Sequence, residues 1–178
     1  LFLQIDQTQR YASNFDMAIP FGRTLAVGLA VAGLSLSGAD WRQFRGTDNN
    51  SVAGDAKLPT TWSETENVAW ATPLPARGVS GPIVVDDAVV VTSSSGFKQD
   101  RLFVNCFDAQ TGKQRWQREF WATGRTLCHP TSANAAPTPC SDGKRVFAFY
   151  SSNDLVCLDM QGNLLWVRGL THDFPTAA

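Results

Sequence analysis

The sequence predicts an all-β fold assembled from repeated four-stranded antiparallel sheets, the architecture of a β-propeller, on three observations. First, Cys106-Phe107-Asp108-Ala109-Gln110-Thr111-Gly112-Lys113-Gln114-Arg115-Trp116 reads as strand end, tight turn and strand start. Asp108 can hydrogen-bond forward onto the turn backbone, Gly112 supplies a positive-φ position, and Trp116 brings a large ring onto the next strand. Second, the phrase returns 51 residues later as Cys157-Leu158-Asp159-Met160-Gln161-Gly162-Asn163-Leu164-Leu165-Trp166, one turn residue shorter and without the Thr. Third, Trp70, Trp116 and Trp166 stand 46 and 50 residues apart. A recurrence of about 40–50 residues built of strands is the spacing of propeller blades.

The pattern Cys/Ala-x-Asp-x-x-Thr-Gly-x-x-x-Trp resembles the tryptophan-docking repeat of the PQQ-like, quinoprotein-type β-propellers. Residues Cys106 to Trp116 match it closely, with Cys where Ala is usual, and Cys157 to Trp166 match it less well. The resemblance covers about Trp41 to Leu170 and implies that each such Trp packs between neighbouring blades. Trp70, Asp108, Gly112, Trp116, Asp159, Gly162 and Trp166 are therefore the expected structural repeat residues. The family holds both dehydrogenases and non-enzymatic scaffolds, so the resemblance bears on fold more than on function.

Composition agrees with a folded domain. The chain has 178 residues, 43% of them hydrophobic and 17% charged, which excludes wholesale disorder. A formal net charge of −1 leaves no basic footprint, and no nucleic-acid partner is expected. Six Trp and eleven Phe suit stacked sheets with aromatics between them.

The N-terminal part divides in two. Residues 1–16 precede the first Met and are either an upstream extension or a mis-assigned start. From Met17 the chain carries Arg23, an uncharged run from Thr24 to Leu36, and small residues to Ala39, the plan of a signal peptide over 17–39. Cleavage after Ala39 would leave a mature chain opening at Asp40-Trp41. An uncleaved anchor is the alternative, although 13 apolar residues fall short of the roughly 20 a spanning helix needs. The cleavage site has no Cys, so no lipoprotein anchor is expected. Membrane contact would come only through the uncleaved segment, and the expected location is periplasmic or secreted.

Residues 40–178 form the repeat region. Trp41-Arg42-Gln43-Phe44-Arg45-Gly46 is similar to a phrase that opens related exported propellers; its two aromatics and two guanidinium groups are expected to lie across the propeller as an N-terminal strap. Thr47 to Lys57 reads as loop, and Asn67 to Trp70 as a short strand. Blade one spans about 80–121. Its strands are Gly81–Val85, Ala88–Thr92 after the Asp86-Asp87 turn, Arg101–Phe107, and Gln114–Phe120, with Ser93 to Gln99 as a polar loop. Blade two spans about 135–170. It repeats the plan with Ala136–Cys140, the Asp142-Gly143 turn, Arg145–Tyr150, Leu155–Leu158 and Leu164–Val167. Thr171 to Ala178 reads as the connector towards a further blade. Closed propellers hold roughly 4–8 blades, so the chain is expected to be the N-terminal part of a longer protein, with about eight blades if it follows the quinoprotein type.

Little catalytic chemistry is visible. Cys106 and Cys157 share a repeat position where a small buried residue belongs; Cys128 and Cys140 flank a Pro/Ala-rich loop and are candidates either for a bridge or for free thiols. No Cys-x-x-Cys pair supports a zinc site, and Cys128-His129 lacks the Cys at 125 that haem attachment needs. The inter-blade loop from Gly124 to Asn134 supplies the ligand-binding candidates. Arg125 can hold an anion, and His129 can ligate a metal or move a proton. Asn134 joins them, unless Arg125 and Asn134 merely satisfy loop carbonyls while His129-Pro130 shapes a turn. No catalytic residue and no metal ligand is assigned. The resemblance implies PQQ with Ca²⁺ for dehydrogenase members, many of which carry an adjacent Cys pair. That pair is absent, and the placed carboxylates, Asp86, Asp108, Asp142 and Asp159, are turn formers. PQQ and Ca²⁺ would thus require ligands from further blades.

Two functions remain. The first is an exported, non-catalytic propeller scaffold, similar to the outer-membrane-assembly propellers, that binds a protein or an extracellular polymer. The alternative is the N-terminal part of a PQQ-dependent quinoprotein dehydrogenase, an oxidoreductase.

Overall fold

Residues 2–4, 40–54 and 58–175 are described by a computed structural model. The expected signal peptide at 17–39 lies outside the described residues, as does all of the 1–16 stretch except Phe2–Gln4. That short segment, β1, runs parallel to β2 (Val68–Ala71).

Two four-stranded antiparallel sheets follow. The first is β3 (Ile83–Val85), β4 (Ala88–Ser95), β5 (Arg101–Asp108) and β6 (Gln114–Trp121), in that spatial order. The second is β7 (Cys140–Ser141), β8 (Arg145–Phe149), β9 (Asp154–Asp159) and β10 (Leu164–Gly169), again in chain order. Each sheet is thus an up-and-down meander, the plan of one propeller blade. A single helical turn, α1 (Leu170–Asp173), stands where the sequence reads as connector.

The core lies between the two sheets. Ile83, Val85, Val90, Leu102, Val104 and Cys106 of the first meet Val146, Ala148, Tyr150, Val156 and Leu158 of the second. The opposite face of the first sheet is buried too, with Val89, Val91 and Phe107 packed against Leu74 and Trp70. Burial on both faces explains why β4 reads as an unbroken β-branched run rather than alternating.

Trp70 and Trp116 each reach forward onto the next turn. Trp70 donates its indole N–H to the Ala109 carbonyl at 2.9 Å, and Trp116 donates to Met160 at 3.0 Å. A Cβ on Gly112 would sit 2.5 Å from the Trp70 ring, and one on Gly162 would sit 2.6 Å from the Trp116 ring. These two positions also have φ of 69° and 81°, so glycine is required there twice over. The Asp turns form as their side chains dictate. Asp108 Oδ1 accepts from the N–H of Gln110 and Thr111 and from the Thr111 hydroxyl, and Asp159 Oδ1 accepts from Gln161 and Asn163.

The opening phrase does strap the sheets together. Trp41 exchanges two backbone hydrogen bonds with Val84 of β3, and the Arg42 carbonyl accepts the Ser141 N–H of β7. Asp40 accepts the Asp86 N–H and pairs with Arg42. Of the two aromatics, only Trp41 serves as an anchor; Phe44 is 68% exposed.

Most strand limits shift from expectation by a residue or two, and three of the differences have a visible cause. β4 continues through Ser95 because its serines find partners. Ser93 Oγ accepts from the Asn105 carboxamide, while Ser94 Oγ donates to Gln99 and accepts the Ala135 N–H. Polarity marks a loop only when the sheet offers no hydrogen bond. β7 shrinks to two residues because Pro137 and Pro139 have no N–H to give to a ladder. β9 starts at Asp154, whose side chain is buried and bonded.

Candidate functional site

Antiparallel order divides the loops between two ends. The turns at 86–87, 109–113, 142–144 and 160–163 share one end. The β2–β3 and β6–β7 connections share the other with the β4–β5 and β8–β9 turns. The candidate residues Arg125, His129 and Asn134 all fall on the second end.

The structure separates these three. Asn134 is fully buried. Its N–H donates to Gln99 Oε1, its Nδ2 donates to the Gln99 carbonyl, and its Oδ1 accepts the Ser152 N–H at 2.8 Å. It ties the inter-sheet connection to both neighbouring turns. His129 is exposed, with Nδ1 2.8 Å from the Thr131 hydroxyl and its carbonyl accepting from Ser132, a local turn. Arg125 is exposed and makes no ion pair or hydrogen bond with the described residues.

Arg125 instead lines an open groove of about 490 Å³ with Phe97, Lys98, Gln99, Leu127 and Cys128. Phe97 is fully exposed and Leu127 is 77% exposed. Lys98, like Arg125, is unpaired among the described residues. A neighbouring groove of about 720 Å³ shares Phe97 and Gln99 and is also lined by Arg77. Sequence reading missed Phe97, Lys98 and Leu127. The available signal was a Phe set beside Gly96 inside a polar stretch.

A polar cluster around the buried Asp154 sits at the same end. Asp154, 2% exposed, accepts from the Thr123 N–H and hydroxyl and from the Ser152 hydroxyl at 2.5–3.2 Å. A side chain at Gly124 would lie 2.0 Å from the Ser152 carbonyl, so only glycine lets the connection pass this close. Tyr150, fully buried, donates to the Phe103 carbonyl at 2.9 Å, and burial holds its phenol far above the ordinary value.

The opposite end is electrostatic but self-satisfied. Arg115 forks onto Asp87 at 2.6 and 2.9 Å and reaches Asp108 at 2.6 Å. That guanidinium holds both carboxyls below the usual range, helped at Asp108 by Thr111. A depressed carboxylate pKa stabilises fully above the unfolded value of about 3.9 and is lost as pH falls through the folded one. Arg115→Ala is therefore expected to cost about 0.5–1 kcal/mol at neutral pH, discounted for exposure. In urea melts from pH 7 to pH 2 the gap from the parent should close on acidification; a gap independent of pH would show that the ion pairs do not stabilise.

Two of the four thiols are packing groups. Cys106 and Cys157 are buried in different sheets, and burial pushes Cys106 up to about 11. Cys128 and Cys140 are free. Among the described residues no group of three or more His, Cys, Asp or Glu is placed to hold a metal ion, and no two cysteines are adjacent. Among the described residues, too, no helix is long and apolar enough to cross a membrane.

Comparison with known proteins bears on the fold. No curated protein sequence is a significant match to the chain. Among solved structures, BamB from Moraxella catarrhalis is similar at 20% identity and a TM-score of 0.42, over 56% of this chain and 26% of that one. The chain thus spans about a quarter of that structure's length. A family profile described as outer membrane protein assembly factor BamB matches residues 37–178, which hold both sheets, the strap and all three repeated tryptophans. On that match the chain belongs to the BamB family of PQQ-like repeat propellers.

Proposed function

We propose that this protein is an exported, non-catalytic propeller scaffold of the cell envelope that docks a protein partner at the loop end carrying Phe97 and Arg125. The observation that carries the reading is a groove with a fully exposed aromatic ring beside two cations that are unpaired among the described residues. Buried aromatics and arginines dominate protein interfaces once covered. Family membership supports an envelope setting, since the family's namesake is described as an outer membrane protein assembly factor. The leader at 17–39 would deliver the chain to the periplasm or beyond, and the exported protein should begin at Asp40.

A photo-crosslinking residue at position 97, with one at Lys113 on the opposite end as control, tests this in cells. Adducts to a discrete envelope protein from position 97 and none from 113 support the scaffold. Stoichiometric binding of added PQQ and Ca²⁺, with dye reduction by an alcohol or a sugar, would overturn it in favour of a dehydrogenase.

A further inference from the structure

The groove itself indicates what sort of segment would fill it. We infer that it takes an extended stretch of a partner protein in which acidic side chains flank a large apolar one. This rests on the scaffold reading above and specifies the partner's chemistry.

The β4–β5 turn is built to present a side chain outward. Gly96 has φ 90°, and a Cβ there would lie 2.3 Å from Asp100 Oδ1. Gln99 adopts φ 54°, a left-handed conformation costing a non-glycine residue about 1–2 kcal/mol. The side chain of Gln99 is what holds that conformation. Its Oε1 accepts from the Ser94 hydroxyl at 3.0 Å and from the Asn134 N–H at 2.9 Å. The carbonyl of Gln99 accepts from Asn134 Nδ2 at 3.1 Å. One network therefore fixes the turn bearing Phe97 and Lys98 and ties it to Asn134, at the far end of the connection that bears Arg125 and Leu127. The strained, bonded turn leaves Phe97 wholly in water, where its ring adds nothing to folding. A fixed wall lowers the ordering cost of binding.

Charge selects the occupant. Lys98 and Arg125 have no partner among the described residues, and no Asp or Glu lines the groove. With a chain net charge of −1, this basic spot is local rather than a general property of the surface. Two cations are too few for a nucleic-acid backbone, where each neutralised phosphate adds only one increment. They are also weak for an anionic bilayer, at about 1 kcal/mol each. They suit two carboxylates on either side of an apolar side chain lodged between Phe97 and Leu127. A volume of about 490 Å³ fits a short segment, not a folded surface.

The test uses the full chain and a fluorescein-labelled short peptide with a central Phe flanked by Glu residues. Its counterparts carry Gln or Lys in place of Glu. Anisotropy should show saturable binding of the Glu peptide, about tenfold or more tighter than the Gln peptide, and weakening with salt. Arg125→Glu and Phe97→Ser, both at exposed positions, should each weaken it about tenfold without moving the melt, whereas Lys113→Glu should change nothing. Equal binding of the Gln peptide, no saturable binding, or loss of phosphatidylglycerol-vesicle binding in the same variants would overturn the inference. If position 97 still crosslinks to an envelope protein while the Glu peptide fails, the scaffold stands and only this partner chemistry falls.

Discussion

Trp116→Ala is expected to destabilise the protein by about 3–5 kcal/mol, as removal of a large packed aromatic usually does. Its ring packs against the inter-sheet core and lies flat against Gly162, and its indole N–H donates to Met160. The loss is therefore compound. A cavity opens between the sheets, and the Met160 carbonyl loses its donor. Trp166 is the internal control. It holds the same repeat position on β10, but it is 39% exposed and touches Phe147 at a centroid distance of 6.2 Å. Trp166→Ala should cost about 1 kcal/mol, the value of an aromatic pair with modest burial. Urea melts of the full chain decide the matter. If the two variants melt alike, Trp116 does not lock the sheets together.

A cycle with Gly162 separates packing from mere size. Gly162→Ala alone must strain a φ of 81° and push a methyl into the ring. In the Trp116→Ala background the clash disappears and only the backbone strain is left. The two changes should therefore be less than additive, by about 1 kcal/mol or more. Additive costs would mean that the ring and the turn do not touch in solution.

The contrast between legible and illegible parts of this chain follows the range of the interactions. The Asp108 turn could be read because its donors, Gln110 and Thr111, lie two and three residues away and Gly112 closes it. The repeat of Asp, Gly and Trp then gave the sheets their order, and the two-sided burial of β4 wrote itself as a run of valines. The strap was legible as a phrase, but the exposure of Phe44 was not, since nothing local distinguishes it from Trp41. Arg115 stands beside Trp116, yet its fork to Asp87 spans 28 residues. Asn134 carries the same side chain whether it faces solvent or core. Only the folded sheet brings Gln99, 35 residues away, beneath it. The groove was hidden for the same reason, because Phe97 and Arg125 become neighbours only once Gln99 and Asn134 have met.

Asp154→Ala should be the most costly polar substitution, at about 2–4 kcal/mol, since a buried network then loses its shared acceptor. Asp154 gathers the Thr123 N–H, the Thr123 hydroxyl and the Ser152 hydroxyl. Thr123 begins the connection that leaves the first sheet, and Ser152 lies in the turn that opens β9 of the second. Truncation strands the buried Ser152 hydroxyl and releases the exposed Thr123, which detaches the connection from the sheet that holds it. Asp154→Asn, which keeps one acceptor oxygen but turns an N–H₂ toward a hydroxyl, should cost less, about 1–2 kcal/mol. Hydrogen exchange distinguishes a local loss from a global one. The Thr123 amide should exchange faster in Asp154→Ala by more than the drop in global stability explains, while the Val104 amide, central to β5, should follow the global change alone. If Thr123 keeps its protection, the carboxyl does not hold the connection. If protection is lost and the Glu peptide also binds more weakly, the buried network supports the groove as well as the fold.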